Sequence, residues 1–375
     1  MILLLFITSI YLILILSFVY GFNKIKNFES NVNSSNERFS VIIPFRNEGQ
    51  NLPILLQSLK ELSYSRDHFE CLFVDDDSSD DSVKIIHQEL QNDAIQYQII
   101  NNQRTSLSPK KDAILAAINK ASYDWVITTD ADCSVSQNWL KTFSGFIQSK
   151  EPKMIAGPVS YLSRTGSFLE SFQLLDFLSL QGSTVGGFGI GKPFLCNGAN
   201  LAYRKDVFHE LNGFDGNSNI ASGDDIFLFE KFLKKYPDQV QFLKSKSAIV
   251  TTFPLLSWKR VIHQRIRWAA KSSSYQLSFG KFVGVMVFLT NLIFSLSLLA
   301  LLWSDRNSLF YAIILVSKFL VDFLLIKRTA VFYQSEKKKI RGYFLGSLLY
   351  PFFSVYIVIK TLTSNYHWKG RDFKK

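Results

Sequence analysis

Residues 125–133 read WVITTDADC. Trp125, Val126, Ile127, Thr128 and Thr129 form a short apolar and β-branched run of strand character, and it stops at Asp130, Ala131 and Asp132. Two acids separated by one residue, just past a strand end, can turn toward a single hard cation. Mg²⁺ and Mn²⁺ prefer oxygen ligands and commonly bridge to substrate phosphates rather than sit in a full protein cage. An Asp-x-Asp string is frequent by chance, so its setting decides its meaning. Asp130 and Asp132 are therefore metal-ligand candidates only if the preceding segment builds a sheet that presents them.

It does so in a regular alternation. Strands read at 39–44, 70–74, 96–100 and 125–129, with helices near 49–62, 80–91 and 109–120. A β-α-β-α-β-α-β order predicts an α/β fold with a mostly parallel sheet, whose ligands bind beyond the carboxyl ends of the strands. The first strand ends at Pro44, followed by Phe45, Arg46, Asn47 and Glu48, a turn that either caps a helix or meets a ligand. The second ends in Asp75, Asp76 and Asp77, followed by Ser79 and Asp80. One acid can cap the next helix, but three adjacent carboxylates exceed a cap's needs. Their repulsion calls for compensation, which the hydroxyls of a ribose or a uracil edge would supply. Lys110 and Lys111 open the helix near 112, where a cation opposes the helix dipole; the placement asks for an anion such as diphosphate, against a solvated lysine.

Further along, Cys196, Asn197, Gly198, Ala199 and Asn200 precede an apparent strand, and Gly198 reads as a bend that lets a ligand approach backbone. Asp224 and Asp225 begin a helix after Gly223; one can cap, and the other, facing an apolar pocket, would gain the basicity of a general base. His263, Gln264, Arg265, Ile266, Arg267 and Trp268 admit two readings. One is a basic interfacial helix with Trp268 at headgroup level; the other is a guanidinium clamp on a leaving diphosphate with Trp268 stacked on sugar or base.

Residues 2–19 are an apolar and hydroxyl run near the ~20 residues that span a bilayer, with no preceding Lys or Arg and no small-residue cleavage site. A retained anchor is expected, and Lys24 and Lys26 place the following chain in the cytosol. Three more runs, near 282–303, 308–326 and 342–360, are long enough to span; Ser304, Asp305, Arg306 and Asn307 make a tight turn between the first two, and the last either crosses or is broken by Pro351 into a re-entrant or interfacial piece that returns the tail to the cytosol, a choice the sequence leaves open. Hydrophobic residues at 47% beside 19% charged residues fit a soluble domain joined to such segments. The net charge of +11 raises the question of nucleic acid, but Lys327, Arg328, Lys337, Lys338, Lys339, Arg341, Lys369, Arg371, Lys374 and Lys375 gather beside apolar runs. Anionic lipid accounts for that placement, so a membrane partner and no nucleic acid is expected. Three cysteines without a C-x-x-C pair exclude a zinc site or disulfide framework and fit a reducing compartment.

Taken in order, these motifs resemble the family 2 glycosyltransferases, in the membrane-bound branch that includes cellulose, chitin and hyaluronan synthases and ceramide glucosyltransferase. The resemblance covers residues 38–275 and implies a GT-A fold and inverting transfer from a nucleotide-sugar, a UDP-sugar above all, to a lipid or saccharide acceptor. By it, Asp75 and Asp76 match the nucleoside-contacting acids, and Asp130 and Asp132 match the pair for Mg²⁺ or Mn²⁺ and diphosphate. Asp225 matches the catalytic base, with Asp224 beside it, and Gln264, Arg265, Arg267 and Trp268 match the Gln-x-x-Arg-Trp signature. Pro44, Arg46, Glu48 and Lys111 join the expected donor site; Gly198, Asn200, Asp225 and Trp268 form the expected acceptor site. Asp77 departs from a slot that is often Gly. The expected layout is an anchor at 1–22, a linker at 23–37, a cytosolic catalytic domain at 38–275, membrane helices at 276–362 and a basic tail at 363–375, in the inner membrane.

Overall fold

The computed structural model describes residues 1–29, 36–217, 220, 222–303, 307–333, 342–363, 366–368 and 371–373. Lys337, Lys338, Lys339, Arg341, Lys369, Lys374, Lys375 and the turn residues Ser304, Asp305 and Arg306 lie outside them. The strands are β1 (Phe39–Phe45), β2 (Phe69–Asp75), β3 (Gln96–Asn101), β4 (Trp125–Thr128), β5 (Cys133–Ser134), β6 (Met154–Ala156), β7 (Val159–Tyr161), β8 (Leu201–Arg204), β9 (Val240–Phe242), β10 (Val250–Thr252) and the antiparallel pair β11 (Tyr366–Trp368) and β12 (Arg371–Phe373). The first helices are α1 (Ile2–Lys24), α2 (Leu52–Lys60), α3 (Ser82–Leu90), α4 (Pro109–Ile118), α5 (Trp139–Lys150) and α6 (Phe168–Gly189). They are followed by α7 (Lys205–Glu210), α8 (Asp224–Lys235), α9 (Trp258–Ala270), α10 (Ser278–Trp303), α11 (Ser308–Phe332) and α12 (Tyr343–Thr363).

The chain divides into two compact units, one of Lys26–Leu162 with Cys196–Phe253, the other of Met1–Ile25, Ser163–Leu195 and Pro254–Lys375. This division cuts through the expected 38–275 segment.

The first unit is the α/β fold. Val41, Ile42 and Ile43 of β1 have no exposure, because a strand covered on both faces needs an unbroken apolar run rather than alternation. Each such side chain contributes about 1.5–3 kcal/mol by leaving water. The main sheet has the order β3-β2-β1-β4-β8-β6-β9. β1 pairs in parallel with β2 and β4, and β2 with β3, while β8 runs antiparallel to both β4 and β6. A second sheet, β5-β10-β7, stands apart. The chain builds outward from β1 to β3 and then returns to the other side of β1 with β4, so the switch point lies between β1 and β4. Ligands of such sheets bind in the crevice at that point. The register sets Phe45 opposite Asp75 and Ile42 opposite Thr128, which brings the polar turns after β1, β2 and β4 to one edge.

The second unit is helical. α1, α10 over Ser278–Leu301, α11 and α12 are each long and apolar enough to cross a membrane. Their exposed side chains include Ile13, Leu309, Val316 and Ile359, the composition of a lipid-facing surface. α1 crosses α6 through glycines: a Cβ on Gly186 would meet the Phe18 carbonyl oxygen at 2.6 Å, and one on Gly189 would strike the backbone of Gly21. Small residues of this kind let helix backbones approach closely in membranes. Lys318, buried, pairs with Asp322 one turn on at 2.6 Å, and Asp322 also accepts from the Tyr11 hydroxyl at 2.7 Å. Of the two readings of the last segment, a break at Pro351 is not found. α12 is continuous from Tyr343 to Thr363 with Pro351 inside; a proline removes one backbone donor, and a buried apolar helix retains the other bonds.

Candidate active site

The first part of the site is built where β1 and β2 end. Pro44 stands opposite Val74, one pair before the β1–β2 register ends at Phe45 and Asp75, and the turns beyond are tied to each other. Arg46 donates to the Asp76 carbonyl at 2.7 Å. Asn47, in the left-handed region at φ 53°, accepts from the Ser79 N–H at 2.8 Å and donates its own N–H to Ser78 at 3.0 Å. Gly49 donates to Asp80, which also accepts from the Ser82 N–H, while the N-cap of α3 is Asp81 and makes no side-chain cap bond. Glu48 accepts from Asn51 at 2.7 Å, and Asp75 from the Ser78 N–H at 3.0 Å.

Compensation of the three acids differs from the sequence expectation. Asp76 accepts from Arg104 at 2.7 Å and Asn102 at 2.8 Å, and Asp77 lies 3.4 Å from Arg46 and 3.6 Å from Arg104. The protein itself therefore relieves the repulsion that a ligand was expected to relieve. Arg104 and Asn102 escaped the sequence reading. They follow the third strand, and the rule that ligands gather at strand ends applied there as well.

The second part lies past β4. Lys110, the second residue of α4, donates to Asp130 at 2.6 Å and stands 3.4 Å from Asp224. Burial alone would lower the pKa of its ammonium, but Asp130 and Asp224 outweigh it, and the pKa is raised. This lysine and its two acids, partly open to solvent, hold one another in place. Gly223, at φ 84°, turns the chain into α8, so Asp224 and Asp225 occupy the positive end of that helix. Asp225 accepts from the Gly198 N–H at 3.3 Å, and Thr128 donates to the Gly198 carbonyl at 2.7 Å. A Cβ on Gly198 would lie 3.1 Å from Asp224, 3.3 Å from Asp225 and 3.7 Å from Lys110. The bend expected to admit a ligand instead admits the acids of α8. Asp132 is exposed, and its carbonyl accepts from Thr252 at 3.2 Å.

Two expected site residues are corrected. Asn200 has no exposure; its amide nitrogen donates to the Pro158 and Ala248 carbonyls, both at 2.8 Å, and its oxygen accepts from the Trp139 indole at 3.0 Å. Those bonds fix the loop before β8 and hold no acceptor. Lys111 is buried, donates to the Asn217 and Ile220 carbonyls at 2.6 and 3.0 Å, and lies 4.9 Å from the centre of the Phe227 ring. The anions that answer the two lysines are thus Asp130 and Asp224 for Lys110 and carbonyl dipoles for Lys111.

The acid cluster suits a divalent cation. The Thr129 hydroxyl beside Asp130 is buried and has no hydrogen-bond partner among the described residues, while Lys110 offsets part of the acids' charge. All the donors are hard oxygens. Among the described residues no three acidic, histidine or cysteine side chains are grouped to hold a metal. Asp130 and Asp132 would therefore share the ion with oxygens from a substrate.

In the helical unit, α9 carries the Gln264–Trp268 segment. Arg265 is 7% exposed, bonds Asp176 of α6 at 2.6 Å and donates to Gln264. Its guanidinium lies 4.2 Å from the centre of the Trp268 ring, three residues on. The diphosphate clamp expected of Arg265 is thus corrected: its planar fork is engaged by a buried carboxylate, and the Trp268 face is covered by the guanidinium. Arg267 is half-buried on another side of α9.

Comparison with known proteins agrees with this fold. Residues 40–211 match the family model described as Glycosyl transferase family 2. The chain is 26% identical over 187 residues to glycosyltransferase AglE of Haloferax volcanii, covering 49% of this chain and 58% of that protein. It is 36% identical over 98 residues to an undecaprenyl-phosphate 4-deoxy-4-formamido-L-arabinose transferase of Proteus mirabilis, covering 25% and 29%. The chain spans less than two thirds of the length of either relative. A solved structure, the mannosyltransferase PcManGT from Pyrobaculum calidifontis in complex with GDP-Man and Mn²⁺, superposes with a TM-score of 0.56 at 14% identity, covering 96% of this chain and 98% of that one. That likeness bears on the fold, which is of the GT-A type.

Proposed function

We propose that the protein is a membrane-bound inverting glycosyltransferase that moves a single sugar from a UDP-sugar to a lipid acceptor at the cytosolic membrane face, for cell-envelope glycan or glycolipid synthesis. The observation that carries the reading is the convergence of Asp130, Asp224 and Asp225 around Lys110 and Gly198 at the switch-point edge of the sheet. The donor's nucleoside lies against the turns of Pro44, Arg46, Glu48, Asp75 and Asp76. Asp130 and Asp132 would hold Mg²⁺ or Mn²⁺, which would supply charge neutralisation for the diphosphate. The Mn²⁺ in the complex of the Pyrobaculum mannosyltransferase supports a divalent ion here. Asp225 takes the proton of an acceptor hydroxyl, whose oxygen forms the new bond to the anomeric carbon from the face opposite the diphosphate. The old glycosidic bond breaks, and UDP leaves with its electron pair. Lys110, charged and facing the same acids, adds electrostatic stabilisation to the departing diphosphate.

A lipid acceptor is supported by the four membrane-length helices and by the undecaprenyl-phosphate transferases among the relatives. A second reading, processive addition to a saccharide, is favoured by the Gln264–Trp268 segment. Incubating membranes that contain the protein with labelled UDP-sugars and Mg²⁺ or Mn²⁺ decides between them: one sugar on an organic-soluble product supports the lipid reading, and a long polymer supports the other. Asp225→Asn should retain donor binding and lose about 10²–10⁴ in rate. Turnover near that of the native chain would remove Asp225 from the role. If the purified protein neither hydrolyses nor transfers any UDP-sugar, it is a binding partner and not an enzyme.

A further inference from the structure

Tyr203 of β8 stands opposite Val126 of β4 and Met154 of β6 and is 1% exposed. Its ring stacks on Phe208 at 5.9 Å and packs on Phe232 of α8 at 6.1 Å. A phenylalanine would make those contacts equally well. The hydroxyl is the part they leave unexplained: it is buried and has no hydrogen-bond partner among the described residues, an arrangement that lowers stability. The charged groups whose fields reach it are Asp224 and Lys110. Burial and Asp224 both push its pKa up, so the oxygen keeps its proton for donation. We propose that Tyr203 is a positioning residue, a donor held ready for Asp224 and engaged when a diphosphate draws Lys110 away. The inference rests on the catalytic reading, in which Lys110 turns to the departing diphosphate.

In the resting chain Asp224 shares Lys110 with Asp130, at 3.4 and 2.6 Å. A lysine is a point charge on a flexible stem, so a diphosphate competes with both acids for it. The Asp224 side chain is only 12% exposed, and water replaces the lost ammonium poorly there. The backbone of Gly198 closes one side, since a Cβ on it would lie 3.1 Å from the carboxylate. The Tyr203 ring is fixed in the core, so the carboxylate turns about its own side-chain bonds to meet the hydroxyl. A hydrogen bond to an ionised acceptor is stronger than one between neutral groups. It would hold Asp224, and with it the first turn of α8 that carries Asp225.

The test uses the full chain in detergent and Tyr203→Phe, which keeps the ring and removes the oxygen alone. Without ligand, the variant's thermal midpoint should equal or exceed the native one, because the resting hydroxyl has no partner to lose. Titrated calorimetrically with UDP and Mn²⁺, the variant should bind about tenfold to a hundredfold more weakly than the native chain. In an Asp224→Ala chain, adding Tyr203→Phe should change UDP affinity less than about twofold, since the acceptor is already gone. The proposal is overturned if Tyr203→Phe binds UDP as the native chain does, or if its unliganded midpoint falls, which would make the hydroxyl a structural group. A native chain that binds no UDP removes the catalytic reading and this proposal together. Equal binding with and without the hydroxyl removes the proposal alone.

Discussion

Asn200 and Lys111 show how a polar residue beside the acid cluster can be engaged by the fold. Asn200 uses its amide on two carbonyls and an indole within the core. Asn200→Ala would leave those groups unpaired, each costing about 1–3 kcal/mol, and should lower the thermal midpoint of the purified protein markedly. A midpoint within a degree or two of the native value would show that Asn200 has no structural role. The sequence displayed Asn200 and Gly198 as one polar bend, and no property of the string separates the residue facing the Trp139 core from the one facing the acids. Lys110 and Lys111 pose the same problem, since adjacent positions on a helix face about a quarter-turn apart. Asp130, Asp224 and Asp225 were legible because each stands at the end of a strand or the start of a helix, where position alone restricts what a carboxylate can face. Arg104 was within reach of the same rule. Asp176 was not, because its partner Arg265 lies 89 residues further along the chain.

Elements divide by how much periodicity they carry. The strands β1 to β4 were readable as apolar runs with polar ends, whereas β5, β6, β7, β9 and β10 have only two or three residues each, too few to express a period. α6 was missed for another reason: its apolar residues are spread around the helix and mixed with glycines, so neither an amphipathic stripe nor a membrane-length apolar run stands out. Its start is nevertheless well marked. The Ser167 hydroxyl accepts from the Glu170 N–H, and the Glu170 carboxylate accepts from the backbone of Arg164, Thr165 and Gly166 and from Ser163, in the manner of a capping box. Burial works to raise the pKa of Glu170, but the hydrogen bond from Ser163 and those from the backbone prevail and lower it. The native value lies below the unfolded one, so this contribution is complete above the ordinary glutamate range and is lost as pH falls through the lowered native value. Glu170→Gln should therefore destabilise the protein at neutral pH and flatten the acid limb of its stability profile, measured by thermal unfolding in detergent at stepped pH. A variant whose acid limb matches the native one would separate Glu170 from that loss.

At the scale of the whole molecule, the segment 38–275 reads as one soluble domain, yet the compact units assign 163–195 and 254–275 to the helical part. A fragment of residues 38–275 would lack α1, α10, α11 and α12. It would then expose the faces of α6 and α9 that pack on them, including Phe172 and Trp258 against Phe353. Such a fragment should sediment as aggregate without detergent; a monodisperse soluble fragment would show that those faces need no cover. The same division has a consequence in time. Each unit is assembled from separated stretches, and the chain passes between them at 25–26, 162–163, 195–196 and 253–254. As the polypeptide is made, the central sheet stays incomplete until β9 has emerged, well after α6. The anchoring helix must in turn wait for α6, α10 and α11 before its glycine face is covered. The α/β unit has all its residues once Phe253 has emerged, whereas the helical unit still awaits Pro254–Lys375, so a chain arrested beyond Phe253 would leave the helical unit alone exposed to quality control.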